Sequence, residues 1–263
     1  MKFEALNNTR ELGGIPTSDG RHVRHGRLFR SGRLIMGSPK DIETLAQAGI
    51  TRIIDFRSRE EQLEKPDPAL PDAENVSLPA VKDMTAGITR DERSDGKALE
   101  AIIYQSISEE GFAMKYMCSM YRNFVADDFA RSQYSRFVRM IADGADKDVF
   151  LWHCNTGKDR AGFAAVILLT ILGADRETIL EDYLVTNGNI AEEVAELTET
   201  FTPAGAPDSA RDAVRLLFSA DEQFLNALYE KADELYGSFD GFLADGLGVD
   251  DALRERLRRN FLE

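Results

Sequence analysis

Cysteine is scarce. The chain carries two, Cys118 and Cys154, far apart and matching no zinc spacing, which argues against a disulfide scaffold and leaves a reactive thiol open. Histidine numbers three, and His22 and His25 lie three apart in a polar stretch that reads as surface, so neither a metal nor a cofactor is expected. Positive charge is also short: 32 Lys and Arg stand against 46 Asp and Glu, a net of −14. Such a field repels nucleic acid and anionic bilayers, so any anion site must be built locally. Long apolar runs are missing as well. The opening MKFEALNNTRELGG holds no stretch of signal-peptide kind, and the longest run, from Phe163 to Leu172 with Thr170 inside it, is too short to span a bilayer. These absences predict a cytoplasmic protein with no nucleic-acid partner and no integral membrane association. The glycosylation patterns at Asn7-Asn8-Thr9 and Asn75-Val76-Ser77 then read as chance. Oligomeric state is left open.

What is present suits one large domain. The 263 residues are 43% hydrophobic, enough for a single core spanning 1–263. Short β-branched or apolar runs at 27–31, 50–56, 74–79 and 148–153, each bounded by Gly, Pro, Asp or Ser, read as strands. Helical periodicity marks 40–48, 115–126, 131–143, 159–172 and 175–187. Alternation of the two predicts an α/β fold, a mostly parallel central sheet flanked by helices. From residue 211 the pattern is helical to the end, a C-terminal layer on the sheet, with Asp250 the N-cap of the last helix. Two segments break the pattern: a polar insertion at 82–100, and a small-residue, Pro-rich loop at 202–210.

Chemistry concentrates in residues 150–162, FLWHCNTGKDRAG. A buried strand ends at His153 and an apolar helix opens near Asp159, so the loop lies at the strand's carboxyl end, where open α/β sheets bind ligands. Free amides at a helix N-terminus favour an anion, and Gly157 and Gly162 allow a tight turn and close backbone approach. The same field favours the thiolate of Cys154, the nucleophilic form. Arg160, six residues on, can fold back to grip two oxygens of a phosphoryl group. His153 reads as a group that orients the loop, and Cys118 as inert core. Asp55 and Arg57 read either as lining the same crevice or as an ion pair fixing a strand end. Arg10 and Arg30 are expected to tie the N-terminal segment to the fold.

HCNTGKDRAG resembles the active-site loop of the cysteine-based protein tyrosine phosphatase superfamily. Its Lys-Asp pair is similar to the bacterial branch of atypical tyrosine and phosphoinositide phosphatases. NTRELGG at 8–14, LFRSGRL at 28–34, IIDFRSREE at 53–61, DYLVTN at 182–187 and YGSFDGFLADGLGVD at 236–250 resemble further segments of that branch. The resemblance implies a metal-free phosphomonoester hydrolase acting on a phosphorylated protein or a phosphoinositide. Cys154 would be the nucleophile and Arg160 the transition-state clamp. Asn155, Thr156, Gly157, Lys158, Arg160, Ala161 and Gly162 would form the substrate cradle. It implies Asp159 as the general acid, with Asp83 and Asp91 as second choices; the alternative for Asp159 is a carboxylate serving only the helix N-terminus. It also implies a helical lid near 190–220. One position departs from the branch: Ala161 stands where a Ser or Thr follows the arginine, which implies slow release of the phosphoryl group unless Thr156 substitutes. A persulfide-carrying sulfurtransferase and a phosphate-binding module with negligible turnover are the rival readings.

Overall fold

A computed structural model describes residues 3–81, 97–144 and 147–263. The second-choice acids Asp83 and Asp91 lie outside the described residues, as does most of the 82–100 segment.

The sheet has five strands: β1 (Arg10–Glu11), β2 (Leu28–Ser31), β3 (Arg52–Asp55), β4 (Glu74–Ser77) and β5 (Phe150–His153). Their spatial order is β1-β2-β5-β3-β4, parallel throughout except for β1, which runs antiparallel to β2. The expected α/β sheet is therefore present, with one added edge strand; two residues are too few to show a period. β5 occupies the centre, and its run Phe-Leu-Trp-His is buried on both faces, as strands of parallel sheets are. The period of two sorts that run. Leu151 joins Phe29, Leu45 and Ile53 under α1 (Pro39–Gln47), whereas Phe150 and Trp152 face the larger core on the other side.

Around the sheet lie α2 (Arg59–Glu64), α3 (Lys97–Ser108), α4 (Phe112–Ala126), α5 (Asp128–Ala142), α6 (Arg160–Leu172) and α7 (Arg176–Asn189). After them come α8 (Ala191–Phe201), α9 (Asp208–Phe218), α10 (Glu222–Tyr236), the single turn α11 (Phe239–Gly241), a π-helical turn at Phe242–Gly246, and α12 (Asp251–Phe261). α2 and α3 are additions to the sequence reading, and residues 97–100, expected as loop, form the first turn of α3.

Caps set the helix starts. Ser38 with Asp41 and Ser58 with Glu61 form capping boxes, and Asp127, Asp175, Asp221 and Asp250 each accept an amide of the first turn. α6 is apolar on every side, with all its residues but Thr170 buried, which suits a helix wedged between the sheet and a second helical layer. That layer is the C-terminal third. α10 lies along α4, and α12 packs on α5 and α6. Arg258 Nε donates to Ile171 O at 2.8 Å, and Leu262 bridges to Val23. One buried cluster runs from Leu12 to Leu262. Among the described residues, no helix is long and apolar enough to cross a membrane.

Candidate active site

The parallel register places His153 beside Asp55 of β3 and Ser31 of β2, at the carboxyl edge of the sheet. The chain turns there through residues 154–159 and enters α6 at Arg160. Gly157 makes the turn possible. Its φ is +73°, and a Cβ at this position would lie 2.6 Å from Ser31 O, so the loop could not sit this close to β2 with a side chain there.

The N-terminal segment holds the loop from outside. Arg33 N donates to Asn155 O at 2.8 Å, Asn8 Nδ2 to Thr156 O at 3.0 Å and Arg30 Nη2 to Gly157 O at 2.8 Å. A trans peptide directs its C=O and N–H to opposite sides. Three successive carbonyls turned outward therefore turn the amides of Thr156, Gly157 and Lys158 the other way, a row of donors that suits an anion. Arg33 also reaches Asn155 Oδ1 at 2.7 Å and Glu193 of α8 at 3.2 Å. Arg10 and Arg30 meet on Asp182 of α7, at 2.8 and 2.6 Å, so the expected anchoring of the N-terminal segment is observed and extends through Arg30 to the loop itself.

Cys154 is 2% exposed and Arg160 5%. The Arg160 fork grips Glu61 of α2, Nη1 to Oε2 at 2.6 Å and Nη2 to Oε1 at 3.2 Å. A guanidinium has five N–H donors, so three remain for a phosphoryl group. Burial opposes both charges in this pair, yet each secures the other: the Glu61 carboxyl is held below its ordinary range and the Arg160 guanidinium above its own. Glu61 is fixed in turn by the capping box, accepting from Ser58 N at 2.7 Å. The backbone is tied behind, with Tyr134 Oη donating to Arg160 O at 3.1 Å and Trp152 Nε1 to Ala161 O at 3.0 Å.

His153 takes the orienting role expected of it. Its Nδ1 meets Cys154 O at 3.1 Å and its Nε2 meets Asp67 Oδ2 at 2.8 Å. Both partners are acceptors, an arrangement that favours hydrogens on both ring nitrogens, the charged form. Burial works against that charge, but Asp55 and Asp67 outweigh it and raise the ring above its ordinary value. Asp55 and Arg57 form the ion pair, at 2.8 Å, that was one of their two readings; Arg57 also lies 2.8 Å from Asp67. Asp55, Asp67 and His153 approach within 4.8 Å of one another, as metal ligands do. Here two cations already balance two carboxylates, so the cluster is charge-complete as it stands.

The remaining loop residues divide. Lys158 is buried, and its ammonium donates to Leu217 O at 2.8 Å and Ser219 O at 3.1 Å, at the carboxyl end of α9. Burial lowers its pKa. Asp159 stands at the N-cap of α6 but makes no capping bond. Its Oδ1 instead accepts from Tyr121 Oη at 2.7 Å and lies 3.5 Å from Lys158 Nζ. Gly162 leaves room for Arg30, whose Nη2 would be 3.1 Å from a Cβ there. Cys118 is buried in α4, and burial raises its thiol pKa, in keeping with an inert core residue. Sequence reasoning missed Glu61, Asp67, Tyr121 and Arg33. Only Glu61 carried a signal, the Ser58-x-x-Glu61 capping spacing.

Strand, loop and helix thus bring a buried cysteine and a buried arginine together at the carboxyl edge of the sheet, and comparison with known proteins shows the family. The family model described as Tyrosine phosphatase family matches residues 1–263, and the chain belongs to that family and is a phosphatase. It is 30% identical over 266 residues to a protein of Cupriavidus necator named as a tyrosine-protein phosphatase, covering 100% of this chain and 88% of the relative. To the triple specificity protein phosphatase PtpB of Mycobacterium tuberculosis it is 29% identical over 256 residues, 90% of this chain and 91% of PtpB. Among solved structures, P. aeruginosa TpbA aligns with a TM-score of 0.35 at 14% identity, over 81% of this chain and 90% of that one, a loose likeness that adds nothing to the family match.

Proposed function

We propose that the chain hydrolyses phosphotyrosine-type monoesters by a two-step route through Cys154. The thiolate attacks phosphorus in line, forming the S–P bond as the P–O bond to the leaving group breaks. Asp159 delivers a proton to the departing oxygen. Water then attacks the phosphoryl group, losing a proton to Asp159 as the S–P bond breaks and inorganic phosphate departs. Arg160 and the amides of Thr156, Gly157 and Lys158 hold the equatorial oxygens, whose charge and spacing change on the way to the transition state. Ala161 and Gly162 start the helix beneath the cradle. Thr156 and Asn155 form its rim.

The observation that carries this reading is the arrangement of the loop: three outward carbonyls, a buried thiol and a guanidinium locked by Glu61 at one edge. Lys158 bears on the substrate class. A headgroup with several phosphates calls for cations beyond the first cradle, and the Lys158 ammonium is spent on the end of α9. A net charge of −14 likewise opposes approach to an anionic bilayer. Both favour a phosphotyrosine peptide over a phosphoinositide, although PtpB is by name a triple specificity enzyme.

The test is a substrate panel of phosphotyrosine peptides, phosphoserine peptides and short-chain phosphoinositides, with Cys154→Ser as the blank. The expected result is turnover of the tyrosine peptides that vanishes in the variant. Undiminished turnover in Cys154→Ser would reject the nucleophile, and higher kcat/KM on the lipids would reject the substrate class.

A further inference from the structure

Asp159 is the group proposed to give up a proton and take one back in the cycle, and among the described residues its hydrogen bond and its nearby ammonium both fall on one of its two oxygens. Tyr121 Oη of α4 donates to Oδ1 at 2.7 Å, and Lys158 Nζ stands 3.5 Å from the same atom. Tyr121 is fully buried, and its oxygen lies 2.6 Å from Tyr183 Oη of α7. Each phenol has a single hydrogen. Since Tyr121 spends its hydrogen on Asp159, Tyr183 must donate to Tyr121, and the backbone amide of Asp221 stands against the Tyr183 oxygen in turn. The chain of donors therefore runs one way, from Tyr183 through Tyr121 to Oδ1. Such a chain polarises each bond in the next.

We propose that Tyr121, set by Tyr183, is a positioning residue for the reaction: it occupies Oδ1 of Asp159 so that the proton for the leaving group is carried on Oδ2. The inference rests on the reading of Asp159 as the acid. A carboxyl with both oxygens equally open places its proton on either; one pinned by a phenol donor and a nearby ammonium places it on the other. Tyr121 is not itself the acid. Burial, with Asp159 and Tyr183 adding to it, holds its hydroxyl well above the ordinary tyrosine range, so it stays protonated throughout. The arrangement also fixes the plane of the carboxyl, because the phenol is gripped by rings on three sides, Phe124, Tyr183 and Phe224.

A merely structural tyrosine would lower all rates alike. A residue that positions the acid lowers only those that need the acid. The experiment compares kcat/KM on phenyl phosphate, a poor leaving group, with kcat/KM on 2,4-dinitrophenyl phosphate, which leaves without a proton. This quantity reports the chemistry up to thiophosphoryl formation, whatever the speed of the later hydrolysis. Asp159→Asn is the reference, expected to lose about 100-fold on phenyl phosphate and little on the dinitrophenyl ester. Tyr121→Phe should lose about tenfold on phenyl phosphate with the dinitrophenyl rate within about threefold of the parent. Tyr183→Phe, which keeps the bond to Asp159 but removes the donor behind it, should show the same selectivity at smaller size, and it decides the matter if Tyr121→Phe does not fold. An equal loss on both esters, or no loss on either, overturns the proposal. Should Asp159→Asn itself show no selectivity, it is the assignment of the acid that fails.

Discussion

At the scale of single residues the site is a set of buried charges, each answered by a charge of opposite sign. Glu61 answers Arg160, and removing its charge leaves a buried guanidinium without the carboxylate that grips it. Glu61→Gln is therefore expected to cost about 3 kcal/mol of stability, read from urea unfolding, because breaking one side of a buried pair exposes the other to its full desolvation penalty. The freed guanidinium also loses its fixed plane, so KM for aryl phosphates should rise together with a fall in kcat. Unchanged kinetics in a folded Glu61→Gln protein would show that Arg160 does not depend on it. Ala161 is the second such position. It is buried, and its methyl offers no hydroxyl to the departing thiolate. The expected outcome is a pre-steady-state burst on para-nitrophenyl phosphate that shrinks in Ala161→Ser as steady-state kcat rises. Linear product formation at high enzyme concentration would count against slow dephosphorylation.

Among the elements, α8 and α9 are the ones whose role was expected from resemblance rather than from pattern. They span the stretch where the resemblance implies a lid, α8 linked to the loop at 154–159 through Arg33 and α9 through Lys158. Glu193 of α8 meets Arg33, which also holds Asn155. The last carbonyls of α9 accept from the Lys158 ammonium, the favoured arrangement for a cation at a helix C-terminus. Lys158→Met would keep the buried volume and leave Leu217 O and Ser219 O without that donor. Hydrogen exchange of amides at 208–218 should then accelerate by about tenfold, the equivalent of losing about 1.4 kcal/mol of local stability. Exchange unchanged from the parent would mean that packing of α9 on α3 and α4 holds it without the lysine.

For the molecule as a whole, the buried ionisable groups set the pH range of greatest stability. Glu61, Asp67 and Asp182 are buried, which would raise them, but the cations Arg160, His153 and Arg30 bring each below its ordinary value. Their contribution is complete above about pH 4.5, the ordinary carboxyl range, and is lost as pH falls through their lowered values. His153 is raised, so its contribution is complete below pH 6.5 and is lost as pH climbs through its raised value. Thermal midpoints should therefore be highest between about pH 4.5 and 6.5 and decline on either side. In Asp67→Asn the alkaline decline should shrink, because the imidazolium loses its nearer carboxylate. A midpoint that continues to rise from pH 6.5 to 8 would show that His153 is not held as a cation.

The amino-acid order alone determined the sheet, its parallel sense, and the loop with Cys154 and Arg160 at its ends. These are local properties: the period of two in β5, the apolar α6, the glycine at a left-handed turn and the six-residue spacing are all written within about twenty consecutive positions. β1 escaped because two residues hold no period, and α2 because six residues of mostly charged sequence show little apolar pattern. What only the tertiary structure decided is which partner each buried group of the site receives. Glu61 reaches Arg160 across 99 residues, Asp67 reaches His153 across 86, and Tyr121 reaches Asp159 across 38. Backbone conformation follows from neighbours in the chain. The partner of a buried charge follows from where the chain returns after a loop or a helix, and a single sequence carries no mark of that return.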